Sequence, residues 1–64
     1  MFTSLGGAVR LLEEHGIVVT RQTLANWLHR GKPYSSECPM IGNRRIIPLD
    51  VVPRLATAMR EFGY

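Results

Sequence analysis

Sixty-four residues, 45% of them apolar, make one folded domain and leave too little chain for a core plus a deep catalytic pocket. The single cysteine excludes an internal disulfide, and no apolar run approaches the ~18 residues of a membrane span. The net charge of +3 is unevenly spread: five cations and one acid lie between Thr20 and Ile47, against three cations and four acids outside, a distribution that suits a surface meeting a polyanion.

In chain order, MFTSLGGAVRLLEEHG places its charges after its apolar residues, the reverse of a secretion signal, so a cytosolic location is expected. Ser4 is a good N-cap, and Leu5, Ala8, Val9 and Leu12 follow at spacings of three and four, which predicts an amphipathic helix. Gly6 and Gly7 weaken its first turn, so something is expected to pack closely there. Gly16 fits a left-handed residue just past the helix end, and His15 suits the negative end of the helix dipole. Ile17, Val18 and Val19 are expected as a short extended turn that buries its apolar side chains.

Thr20 then caps a second helix whose Leu24, Trp27 and Leu28 point inward. At 100° per residue, Gln22, Asn26 and His29 lie opposite that stripe, with Ala25 and Arg30 at its edges and Arg21 and Thr23 at the flanks. Gly31 stops it. The segment KPYSSECP, with two prolines and two serines, reads as a loop. Met40-Ile41 and Arg45-Ile46-Ile47 are predicted as two short strands about Gly42-Asn43-Arg44, with Gly and Asn supplying positive φ and Pro48 ending the hairpin. Pro53 cannot sit deep in a helix, so a turn over Leu49 to Val52 and a helix from about Pro53 to Phe62 follow. Leu55, Ala56, Met59 and Phe62 form its stripe and Gly63 its stop.

The chain carries no glycine-rich phosphate loop, no HExxH and no glycine-flanked serine. Glu13 and Glu14 are adjacent on a helix, diverge by 100° and cannot share a proton. No catalytic residue and no cofactor is expected. Cys38 stands between Glu37 and Pro39, a poor setting for a nucleophile, and with His15 or His29 it lacks further ligands at a metal-binding spacing.

What remains is DNA reading. Gln22 and Asn26 on one exposed face can each make bidentate contacts to adenine, with Thr23 and His29 as shorter donors or acceptors. Arg44 and Arg45 beside Gly42-Asn43 form a slender cationic finger shaped for a minor groove. Strand alternation should turn only one of the two toward DNA, and Arg44, nearer the tip, is the expected one. The spacing of Trp27 with Leu24 and Leu28 makes it core.

The order helix, turn, polar helix ending R-G-K, loop, G-N-R-R-I hairpin and proline-led final helix resembles the winged-helix domain of phage excisionases and MerR-type regulators, over about Leu5 to Met59. T-L-A-N-W-L-H is similar to the excisionase recognition helix, and PYSSECPMIGNRR to its proline-rich loop and wing. The absence of an effector-binding or coiled-coil extension favours the excisionases and a chain complete as one domain, 1–64.

The resemblance implies a mainly α winged helix-turn-helix with a small β-hairpin. It implies a protein that binds and bends double-stranded DNA at attachment-site repeats, with copies head to tail, and directs a phage integrase toward excision in the bacterial host cytoplasm. Implied DNA contacts are Thr20, Arg21, Gln22, Thr23, Asn26, His29 and Arg30 on the recognition helix, and Lys32, Asn43, Arg44 and Arg45 in the loop and wing. Tyr34, Phe62 and Tyr64 are expected between protomers. The chain departs from the lambda-type pattern in carrying Asn26 and His29 where cations are usual, which shifts the expected affinity toward side-by-side binding. A small regulator of a phage, or a winged-helix module that docks a protein, are the alternative expectations.

Overall fold

Ser4 adopts extended backbone and its hydroxyl accepts the Gly7 amide at 3.2 Å, so the chain enters a helix at Leu5. In the computed structural model, which describes residues 1–64, this helix, α1, spans Leu5–Glu14, and Gly16 takes the φ of 85° that ends it. Thr20 repeats the device, its Oγ1 accepting the Thr23 amide at 3.1 Å to open α2, Arg21–His29. Gly31, at φ 69°, turns the chain away. Between the helices Ile17 is buried, Val19 half-buried and Val18 77% exposed. The expectation that all three apolar side chains are buried is therefore corrected at Val18: successive side chains of an extended segment point to opposite sides, so the middle one faces water.

The hairpin pairs β2 (Met40–Ile41) antiparallel with β3 (Arg44–Arg45), Ile41 opposite Arg44 and Met40 opposite Arg45. Its two-residue turn has positive φ at Gly42 (62°) and not at Asn43, the pattern in which one glycine supplies the left-handed residue. Both sequence expectations shift accordingly: Arg44 belongs to a strand, and Asn43 needs no positive φ. The chain beyond Arg45 also behaves differently. Ile47–Pro48, β4, leaves the hairpin and pairs antiparallel with β1 (Phe2–Thr3) at the N-terminus, while the Leu49 amide bonds to the Met1 carbonyl at 3.1 Å. Pro48 thus sits within a strand, at a two-stranded edge where a missing amide is tolerated.

A 3-10 turn over Leu49–Val51 leads into α3, Val52–Glu61, with Pro53 in its first turn where no amide donor is required. These bounds lie within a residue of those expected. α1 packs against both α2 and α3, and the core between them is made of Ala8, Leu12, Ile17, Leu24, Trp27, Leu28, Leu55 and Met59, closed by Ile47 and Cys38 from the strand side. Phe62, expected in the buried stripe, is 56% exposed because it lies past the helix end, at the rim. The molecule is mostly helical, with three helices and a two-stranded antiparallel hairpin. No helix is long and apolar enough to cross a membrane.

Candidate nucleic-acid interface

Burial of Leu24, Trp27 and Leu28 fixes the rotation of α2 and leaves Gln22, Asn26 and His29 exposed on its opposite side. The two amides are joined: Gln22 Nε2 donates to Asn26 Oδ1 at 3.1 Å. Residues four apart on a helix are neighbours, and the bond holds both side chains along one line while leaving the Gln22 carbonyl oxygen and the Asn26 amide nitrogen free. Thr20 is used at the cap, accepting from the Thr23 amide and donating to the Thr23 hydroxyl at 3.0 Å. Thr20 remains exposed with its hydroxyl engaged in starting the helix, and Thr23 is half-buried beside it.

One edge of this face borders the hairpin. Arg21 and Ala25 of α2 share a cleft of about 570 Å³ with Asn43, Arg44 and Arg45, lined also by the exposed Phe2 and Met40. Three arginines and no acid line it. Arg21 and Arg44 are exposed. Arg45 is not equivalent: half-buried, it donates from Nη1 to the Cys38 carbonyl at 2.8 Å and ties the hairpin to the loop before it. Of the two hairpin arginines only Arg44 is left exposed, as strand alternation predicts, and Arg45 serves as an anchor. The cause is the alternation of strand side chains, which turns Arg45 back toward the molecule when Arg44 faces out.

Arg21 reaches the cleft across the first turn of α1. A Cβ on Gly6 would lie 3.3 Å from Arg21 Nε, so the glycine gives the guanidinium its passage. At Gly7 the space for a Cβ is already occupied by the Thr3 hydroxyl of β1. The close packing expected from the glycine pair is present, with a different neighbour at each residue.

The other edge of the α2 face borders the C-terminus. Thr23, Asn26 and Arg30 surround a depression of about 200 Å³ with Lys32 and Tyr64. The Lys32 ammonium stands 5.4 Å from the Trp27 ring centre and 4.7 Å from that of Phe62, an arrangement that holds a cation over aromatic faces. Trp27 donates from Nε1 to the Pro33 carbonyl at 3.0 Å and meets Phe62 and Tyr64 edge-on, at 4.9 and 5.7 Å between centres. Tyr34, with φ 70°, is half-buried against the core. Of the three aromatics expected between protomers, Phe62 and Tyr64 meet Trp27 edge-on and remain 56% and 49% exposed, and Tyr34 lies against the core. Spacing gave no sign of this, because Phe62 and Tyr64 reach Trp27 only once the helices are packed.

Two of the five acids line a separate cavity. Glu37 and Glu61, with Arg54, border a shallow cavity of about 520 Å³ beside Tyr34 and Phe62. Cys38 is fully buried, and desolvation raises its thiol pKa above the ordinary value, with Arg45 opposing and Glu37 adding to the rise. The thiol is neutral and inert at physiological pH. Among known proteins, no family model matches this chain, and no curated protein or solved structure is significantly similar to it.

Proposed function

We propose that this chain is a winged helix-turn-helix protein that binds and bends double-stranded DNA, with α2 as the recognition helix and the β2–β3 hairpin as the wing. One observation carries the reading: the cleft between α2 and the hairpin holds Arg21, Arg44 and Arg45 with no acid, beside an exposed helix face bearing two amides and an imidazole. Phosphate contacts fix register and come from arginine and lysine, while base edges are read by polar side chains such as Gln and Asn. Both kinds of group stand next to each other here. Arg30 and Lys32, just past the end of the same helix, add cations around a depression that Asn26 also lines.

The narrower assignment, an excisionase acting with a phage integrase and with neighbouring copies of itself on attachment-site DNA, rests on the similarity of T-L-A-N-W-L-H and G-N-R-R-I to that family's recognition helix and wing. Its test is an integrase-dependent excision assay on attachment-site DNA carrying the flanking repeats. An excisionase raises the yield of excised product, and Arg44→Ala abolishes the effect. A transcriptional regulator leaves the recombinant yield unchanged while still binding the duplex. A protein-docking module fails to bind random duplex even at low salt.

A further inference from the structure

A single exposed apolar residue carries little meaning by itself; the position of Ile41 carries more. It is 63% exposed, and it is the direct cross-strand partner of Arg44 at a two-residue turn. Cross-strand partners share a face of the hairpin, so Ile41 and Arg44 project together, while Arg45 on the other face is bonded back to Cys38. From Cys38 to Pro48 the chain contains no acid. The outer face of the fingertip therefore pairs a free guanidinium with a stiff, β-branched apolar side chain.

The surfaces that could accept such a pair are few. A protein surface accepts both only where a carboxylate stands beside an apolar pocket at this one spacing, since an apolar surface alone would strip water from Arg44 without compensation. The minor groove accepts both. Its negative potential attracts arginine, and apolar side chains enter between its base steps.

Resting on the DNA-binding reading, we infer that Ile41 is a wedge. As Arg44 enters the minor groove, Ile41 inserts at an adjoining base step, unstacks it and kinks the duplex toward the major groove. Unstacking is easiest at pyrimidine–purine steps, so bound sites carry a TA or CA step at the position the fingertip reaches.

The test uses the full chain and a duplex of about 30 bp rich in TA steps, with 2-aminopurine beside one of them and a dye at each end. Wild-type protein raises the 2-aminopurine fluorescence and shortens the end-to-end distance. Ile41→Ala loses more than about half of both signals at saturation while Kd rises no more than about threefold. Ile41→Thr, which keeps the β-branch suited to the strand and removes the apolar tip, behaves the same way, separating loss of the wedge from loosening of the hairpin. Arg44→Ala raises Kd by about tenfold. The proposal is overturned if wild-type protein binds this duplex and leaves 2-aminopurine stacked, or if both Ile41 variants bend and unstack it as wild type does. Failure of wild type to bind any duplex at low salt removes the DNA-binding reading as well.

Discussion

Two adjacent glycines at the start of α1 divide the work of positioning. In a helix, glycine costs roughly 0.5–1 kcal/mol relative to alanine. At Gly6 the obstacle to a methyl group is the end of a movable side chain, Arg21. Gly6→Ala is therefore expected to raise stability by about 0.5 kcal/mol and to weaken duplex binding by displacing that guanidinium, opposite signs that thermal melts and anisotropy titrations read separately. Gly7→Ala meets the Thr3 hydroxyl instead and should destabilise by about 1 kcal/mol or more, an effect that Thr3→Ala relieves. On α2, Gln22→Ala and Asn26→Ala should each weaken binding to the cognate site by about 1–3 kcal/mol and leave random duplex nearly unaffected. Because the two amides are hydrogen-bonded, the double variant should lose less than the sum of the singles. At Cys38 the raised thiol pKa means that keeping the group neutral stabilises the fold fully below the ordinary thiol value. That contribution is lost as pH rises through the folded pKa, so denaturation midpoints should hold steady through neutrality and fall in alkaline buffer.

At the scale of elements, the two hairpin arginines give the clearest contrast. Arg44→Ala removes an exposed side chain and should change stability by less than about 0.5 kcal/mol, while the slope of log K against log salt falls by roughly 0.9 for the cation lost from the DNA surface. Arg45→Ala removes the bond to the Cys38 carbonyl and should cost about 1 kcal/mol of stability, with a smaller change in salt slope. Chemical denaturation and salt titrations distinguish the two outcomes. Which elements were legible follows from how local their causes are. Ser4, Thr20, Gly16 and Gly31 each act within a few residues, and the helix bounds they predict hold in the structure. The inward stripe of α2 was legible for the same reason. The β1–β4 pairing was not, since Phe2-Thr3 and Ile47-Pro48 are too short to show a period and meet across nearly the whole chain. Nor was the hold of Trp27 and Phe62 on Lys32, which arises only when α3 brings its end against α2.

For the whole molecule, the packing sets Glu37 and Glu61 at a different cavity from the hairpin arginines. The α2 face and the hairpin tip border one acid-free cleft, whereas Glu37 and Glu61 lie beside the end of α3. A domain this small buries only ~60% of its unfolded surface, so a bound polyanion should stabilise it measurably, and melting temperature should rise with duplex concentration and fall back with added salt. The same packing makes Trp27 a keystone: fully buried, bonded to Pro33 and edged by two rings. Trp27→Ala is expected to cost about 3–5 kcal/mol and to leave the chain largely unfolded, as far-UV circular dichroism would record. The central claim is that α2 and the hairpin tip meet the same duplex together. An NMR titration of backbone amides with short duplex DNA tests it most directly. The account predicts that residues 21–30 and 41–45 shift together and at one stoichiometry, while Glu37, Arg54 and Glu61 stay still. Shifts confined to the Tyr34–Glu61 side, or perturbation of α2 without the hairpin tip, would contradict it.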